Sequence, residues 1–215
     1  ALAIGTKLLP LIFLPLLIRR LGIGKSILYF TIAGATLLLL FAPFLSFQSI
    51  SNYLSSLALY FQVLEFNASI YYVVRWLGHQ IANDGFIAMS GVILPIISFI
   101  AIIALTLGER VVNWPSLFAR MLLCLTVYFL FTSNVHPWYL TTMVMLSVFT
   151  SYKYMLPWSL LMILTYATYQ TLPYSENLWF VAIEYLVTGG WLAYEMRGKL
   201  FKTSGINRAL QEELP

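Results

Sequence analysis

Residues 117–139 read LFARMLLCLTVYFLFTSNVHPWY. An apolar run over 117–132 gives way to Asn134-Val135-His136-Pro137-Trp138-Tyr139, and a second apolar run follows over 138–152. If both runs cross a bilayer, the polar group between them lies where the bilayer ends. Trp138 and Tyr139 fit an interfacial aromatic belt. His136 and Tyr139 also stand where they would hold a polar headgroup, with Asn134 beside them. His136 precedes a proline, which favours an extended backbone. It would donate to a phosphate or a hydroxyl, or carry a proton. The plainer alternative is a histidine solvated at the membrane surface.

The composition agrees with a membrane setting. The chain has 215 residues, of which 60% are hydrophobic and 9% charged, and a mean hydropathy of +0.85. A soluble domain carries about 25% charged residues, so an all-α, polytopic integral membrane protein is expected. The net charge of +4 does not point to nucleic acid, because the basic residues flank apolar runs instead of forming one patch. Cys124 is the single cysteine. It offers neither a disulfide framework nor a thiolate metal site, and reads as a small core residue.

The chain opens Ala1-Leu2-Ala3-Ile4, without a basic leader, and its first apolar run continues past Lys7 to Ile18. A signal peptide would show charge, an apolar core and then a small-residue cleavage site. The expectation is a chain that begins inside a span of a longer protein, with an N-terminal part missing. A helix needs about 20 apolar residues to cross a bilayer. Seven spans are expected, at roughly 1–18, 26–45, 86–107, 117–132, 138–152, 155–172 and 178–196, the fourth to sixth short and tilted or broken. They make one transmembrane domain over 1–196, followed by a polar cytoplasmic tail over 197–215.

Lys and Arg set the orientation. With seven spans, Arg19, Arg20, Lys25, Arg110, Arg120, Lys153, Arg197, Lys199, Lys202 and Arg208 fall on one side, and Arg75 is the sole Lys or Arg on the other. The basic side is expected to be cytoplasmic, with the C-terminus there, in a multi-pass protein of the cell (inner) membrane.

The longest outer segment, 46–85, carries Glu65, Asn67, Tyr71, Tyr72, Arg75, His79 and Asp84. Its first part, Ile50 to Val63, repeats Ile50, Leu54, Leu57, Tyr60 and Phe61 at helical spacing among serines. It is expected as an amphipathic helix lying in the interface. Asn67 suits an N-cap or turn, and Asn67, Tyr71 and Arg75 at spacings of four share a helical face. Arg75 is a candidate for an anionic group, since guanidinium binds phosphate bidentately. The alternative is an ion pair with Glu65 or Asp84. Lys7, counted from Arg19 at helical rise, lies about 18 Å into the first span. An ionisable group at that depth marks a functional site by default, or else snorkels to the outer surface. Glu184, two turns into the seventh span, is expected to face the bundle interior near Lys7 or His136, as a structural ion pair or a catalytic group. No Gly-rich phosphate loop, metal-ligand spacing or internal repeat is present, and Gly189-Gly190 reads as helix packing.

Three segments carry a family resemblance. They are Lys7-Leu8-Leu9-Pro10 with Leu14-Pro15-Leu16-Leu17 and Arg19-Arg20; Phe66-Asn67-Ala68-Ser69-Ile70-Tyr71-Tyr72; and Ser133-Asn134-Val135-His136-Pro137-Trp138-Tyr139. In this order and sidedness they resemble the C-terminal membrane half of the GT-C glycosyltransferases, in particular the bacterial mannosyltransferase-like group. The His-Pro-Trp-Tyr motif is the most specific of the three.

The resemblance implies transfer of a sugar from a polyprenyl-phosphate donor to a glycan, lipid or protein acceptor on the outer or lumenal face. The acceptor hydroxyl attacks the sugar C1 and the lipid phosphate leaves. His136, Arg75 and Lys7 would stabilise charge on that phosphate. Tyr139, Asn67, Asn134 and Tyr71 would complete the donor phosphate and sugar site. The lipid tail would lie in a groove between spans lined by Phe and Leu. No nucleotide or other cofactor is implied, and a divalent metal is compatible but has no ligand set. In such enzymes an Asp in the first outer loop is the general base. Asp84, the sole Asp, lies in a different loop, so the catalytic base is not evident in this chain. Two other readings compete: a non-catalytic subunit whose membrane partner carries the acidic loop, and a transporter or flippase subunit in which Lys7 and Glu184 mark a pathway.

Overall fold

The computed structural model describes the backbone at residues 1–62, 64–81, 84–109, 112–170 and 172–212. Val63, Arg110 and residues 213–215, and the side chains of Leu57, Tyr60, Phe61, Asp84, Lys199, Lys202 and Arg208, lie outside the described residues. The described residues are helical with no strand, and they divide into two compact units, Ala1–His136 and Pro137–Pro215.

The first unit begins with α1 (Leu2–Thr6), a 3-10 segment (Leu9–Phe13) and α2 (Leu14–Phe41). The expected first span is thus not one continuous helix. It stops at Lys7, whose backbone is extended (φ −156°, ψ 128°). Pro10 follows in the first turn of the 3-10 segment, where its missing N–H costs nothing. Within α2 the helix is interrupted at Gly22, which takes φ 75° and ψ 167°. The chain reverses there. A Cβ on Gly5 would lie 3.6 Å from Leu37 Cδ2 and from Phe41 Cε2, an approach that a straight α2 would forbid. The expected link between spans one and two around Arg19 and Arg20 is this turn. Its conformation is one essentially confined to glycine. Gly22→Ala is therefore expected to lower stability by about 1–3 kcal/mol, measurable by thermal unfolding in detergent, although nothing lies within 4 Å of the added Cβ.

A 3-10 turn (Ala42–Phe44) leads to α3 (Phe47–Gln62), followed by α4 (Ile70–Ile81), α5 (Asp84–Leu107) and α6 (Trp114–Phe131). Helix α3 covers residues 50–62 of the expected amphipathic helix. Ile50 and Leu54 on its apolar stripe are exposed. One core cluster gathers Leu16, Ile102 and Cys124 with Ile12, Phe13 and Leu117. A second gathers Ala68, Tyr71 and Leu94 with Phe131.

Helix α6 gives this unit two ends. At its start Asn113 and Ser116 form a capping box, which satisfies two otherwise orphaned N–H groups. There Arg20 grips the Glu109 carboxylate with two bonds (Nη1–Oε2 2.8 Å, Nη2–Oε1 2.7 Å), and Ser116 Oγ donates to Oε1 at 2.8 Å. Arg19 donates to the Glu109 carbonyl (2.9 Å) and Arg120 to that of Leu105 (3.0 Å). The two basic links are thus drawn together at one end. The helix rises about 27 Å before Thr132, close to the roughly 30 Å of a bilayer core.

The second unit comprises a 3-10 turn (Pro137–Tyr139), α7 (Leu140–Val148), α8 (Met155–Leu161), a 3-10 segment (Met162–Gln170) and α9 (Leu178–Glu212). Its interior is built on Tyr154, Met155, Trp158 and Met162.

Two described stretches are long and apolar enough, by length and composition, to cross a membrane: Leu9–Phe44, which turns back on itself at Gly22, at mean hydropathy 2.1, and Ser90–Leu107, at 2.5. Ser116–Phe131 is a shorter apolar helix. Little of the first stretch is buried, and Leu39 is 75% and, just beyond it, Phe47 90% exposed. Exposed apolar surface of that extent marks contact with another apolar phase. The described helices do not reproduce the seven expected spans. The first is broken at Lys7. The fifth is a nine-residue helix of about 13 Å. The sixth passes into 3-10 geometry after Leu161, and the seventh carries Glu184 and Glu195.

Candidate functional site

The segment that precedes α4 and the Thr132–His136 loop meet through their backbones. Phe66 N–H donates to the Ser133 carbonyl (2.9 Å), and Val135 N–H donates back to the Phe66 carbonyl (2.8 Å). These two bonds form an isolated parallel bridge between Phe66 and Asn134. Two of the three segments singled out in the sequence, 68 positions apart at Phe66 and Asn134, are thereby joined. Side chains reinforce the joint. The His136 ring stacks on Phe66 at 4.6 Å between centroids and 29° between planes, and Ser69 Oγ donates to the Leu130 carbonyl (2.9 Å).

Asn67 is a turn residue and not a helix cap. Its φ is 47°, a left-handed value that asparagine tolerates better than most residues. It is fully buried beside Ala68. Because α4 starts at Ile70, Asn67 does not share a helical face with Tyr71 and Arg75. Those two do share a face, and both meet Glu65. Tyr71 donates its hydroxyl to Oε1 (2.7 Å), and Arg75 Nη1 pairs with Oε2. The Arg75 guanidinium also lies 4.9 Å over the Tyr72 ring, within cation–π range. Of the two partners weighed for Arg75, Glu65 is the one observed. Burial pushes the Tyr71 hydroxyl above its ordinary pKa, which keeps it a hydrogen-bond donor.

A small cavity is lined by Tyr71, Ser90, Leu94, Phe131, Thr132 and Ser133. The Thr132 and Ser133 hydroxyls and the Asn134 side-chain oxygen are buried with no hydrogen-bond partner among the described residues. Buried polar atoms of this kind ordinarily find partners, so this end of the unit holds hydrogen-bonding capacity in reserve.

Burial lowers the His136 pKa below its usual 6.5, so the ring is neutral at pH 7. The sign of the effect on stability follows. Below about 6.5 the unfolded chain binds a proton that the folded histidine resists. Stability should therefore fall as the pH drops through that value, and His136→Gln should remove this part of the pH dependence. Unfolding midpoints of both proteins between pH 5 and 8 check it.

The remaining candidates lie elsewhere. Lys7 is exposed where α1 ends. Gly5 packs 15–19 residues past the Gly22 turn, so Lys7 sits near the far end of the hairpin and not part-way along a continuous span. Tyr139 belongs to the 3-10 turn that opens the second unit, its ring edge-on to Trp138 at 6.1 Å. Glu184 is in the second unit, where Trp158 Nε1 donates to its Oε1 (2.9 Å). Two features escaped the sequence reading: Glu65 as the hub of Tyr71 and Arg75, and the buried hydroxyls of Thr132 and Ser133. Glu65 was visible only as one of two acids near Arg75, and nothing in the local pattern singles out the two hydroxyls. Among the described residues no three His, Cys, Asp or Glu side chains gather as a metal site. No protein-family model, curated protein or solved structure matches the chain.

Proposed function

We propose that this chain is the membrane-embedded C-terminal half of a glycosyltransferase. It would take a sugar, mannose in the group it resembles, from a polyprenyl-phosphate donor and pass it to a glycan, lipid or protein acceptor on the outer or lumenal face. The observation that carries the reading is the joining of two motifs. The Asn-Ala-Ser-Ile-Tyr-Tyr and Asn-Val-His-Pro-Trp-Tyr segments were picked out separately for their resemblance. The Phe66–Asn134 bridge and the Phe66–His136 stack bring them into one polar ledge. That ledge stands about 27 Å of helix from the arginine-rich end, as a headgroup site on the outer leaflet requires.

In this reading the neutral His136 and the Asn134 amide bind the sugar or phosphate by hydrogen bonds. Arg75, held by Glu65, turns its remaining N–H groups to the leaving phosphate, where charge develops in the transition state. Lys7, near the far end of the hairpin from the arginine-rich turn, keeps its proposed role in donor binding. The protein is multi-pass in the cell membrane, the arginine-rich end and the C-terminus on the cytoplasmic side. His136→Ala should abolish sugar transfer by the complete enzyme while leaving membrane insertion intact. Full transfer by that variant would refute the assignment.

One observation favours a second reading, a non-catalytic subunit of a glycosyltransferase complex. The described acid of the ledge, Glu65, is engaged by Tyr71 and Arg75, which suits it poorly to act as a general base. The two readings part on deletion. Loss of a partner's transfer activity, with His136→Ala fully active, would support the subunit.

A further inference from the structure

The cavity lined by Tyr71, Leu94, Phe131, Thr132 and Ser133 shares two residues with the joined segments. The Ser133 carbonyl accepts from Phe66 N–H, and the Tyr71 hydroxyl donates to Glu65, which also pairs with Arg75. The cavity is partly open and offers about 10 Å³ to the centre of a water-sized group. Roughly 10–15 Å³ by that measure holds one water. The space therefore suits a single hydroxyl and is far too small for a sugar ring.

Three polar groups border this space without their ordinary partners. Thr132 is 4% and Ser133 6% exposed, and neither hydroxyl has a hydrogen-bond partner among the described residues. A helical threonine can bond a carbonyl three or four residues back, as Thr126 does to Leu122 within α6 (2.9 Å). Thr132 stands just past the end of α6 with an extended backbone (φ −83°, ψ 154°), and makes no such bond. The third group is backbone. Pro95 lies inside α5 and borders the cavity together with Gly91. A proline has no N–H for the carbonyl four residues back, which here is that of Gly91.

These groups define the chemistry of an occupant. None of the described residues that line the cavity is charged. An anion would meet no cation there, and a divalent cation no carboxylate. A neutral hydroxyl matches the set, because it donates one hydrogen bond and accepts others. It can accept from Thr132 or Ser133 and donate to the Gly91 carbonyl, with Leu94, Pro95 and Phe131 closing apolar walls around it.

We propose that this cavity is the pocket for one hydroxyl of the donor sugar, and that Thr132 and Ser133 are the residues that select for it. The inference rests on the sugar-transfer reading and adds to it the means of telling one sugar from another. A site built to bond a hydroxyl rejects an analogue that lacks it, because its own buried groups are then left unpaired.

The test uses the full-length protein in nanodiscs, titrated with polyprenyl-phosphate mannose and with a set of its deoxy analogues, each lacking one sugar hydroxyl. One analogue should bind about tenfold or more weakly than the complete donor, as expected for a buried hydroxyl left unpaired, and the others should bind like the donor. In the Thr132→Val, Ser133→Ala double variant the donor should weaken to the level of that analogue, so that the two are no longer distinguished. Binding of every analogue like the donor, as for a cavity that holds only water, would overturn the proposal and leave the sugar-transfer reading standing. Discrimination retained by the double variant would do the same. Failure of the parent protein to bind the donor at all would remove both. Removing buried hydroxyls that lack partners should not weaken the fold, so the double variant should melt at or above the parent temperature. A variant that unfolds would give the two hydroxyls a structural role and count against the pocket.

Discussion

Arg20→Ala is expected to destabilise the first unit by about 3–5 kcal/mol, the cost of leaving a buried charge without its partner. Glu109 is 1% exposed and bound by both arms of the Arg20 guanidinium. Truncating Arg20 strands the carboxylate at the end of α5, with Ser116 as its remaining side-chain donor. The double variant Arg20→Met, Glu109→Gln should recover most of the loss, because replacing both members of a buried pair is often close to neutral.

Acid adds a second signature. Burial pushes the Glu109 carboxyl up, but hydrogen bonds from Arg20 and Ser116 and the charges of Arg20 and Arg120 outweigh it, so the group titrates below its usual 4.5. Its contribution to stability is therefore complete above about 4.5 and is lost as the pH falls through the folded value. In Arg20→Ala burial dominates, the carboxyl takes up a proton more readily, and the gap to the parent should narrow in acid. Unfolding of the three proteins in detergent at pH 7 and pH 4 gives both comparisons.

Trp158→Ala should cost the second unit a similar amount, about 3–5 kcal/mol. The indole is one of the largest fully buried side chains, and its loss opens a cavity beside Tyr154 and Tyr185. It also removes the donor to Glu184 Oε1, so a buried acceptor loses its bond as well as its packing. Trp158→Phe keeps most of the volume, and the difference between the two variants separates the cavity from the hydrogen bond. Denaturant titration followed by near-ultraviolet circular dichroism reads both.

The arginines made the ends of the first unit legible in the sequence. Arg19, Arg20 and Arg120 were expected on one side, and they gather around Glu109. Helices α5 and α6 match the apolar runs at 86–107 and 117–132 to within a few residues, because continuous runs of Ile, Leu and Phe between polar links leave little choice. The bends were hidden. Lys7 and Pro10 looked like part of a span until the backbone broke between them. The turn at Gly22 depends on a dihedral that the apolar pattern does not record. The ledge was half legible. Residue types pointed to Asn67, Tyr71, Arg75, Asn134 and His136. The joining of the two segments, however, rests on two backbone hydrogen bonds at Phe66, which the side-chain pattern does not record. The partner of Arg75 was narrowed to two acids, and only the fold chose Glu65.

In the proposed function the ledge around His136 holds the phosphate and sugar of a lipid-linked donor. Native mass spectrometry of the full-length protein in nanodiscs, loaded with polyprenyl-phosphate mannose or with the bare polyprenol, tests it most directly. The phosphate-sugar lipid should be retained and the polyprenol lost, and His136→Ala should lose the donor while remaining folded. Equal retention of both lipids, or undiminished donor binding by His136→Ala, would contradict it.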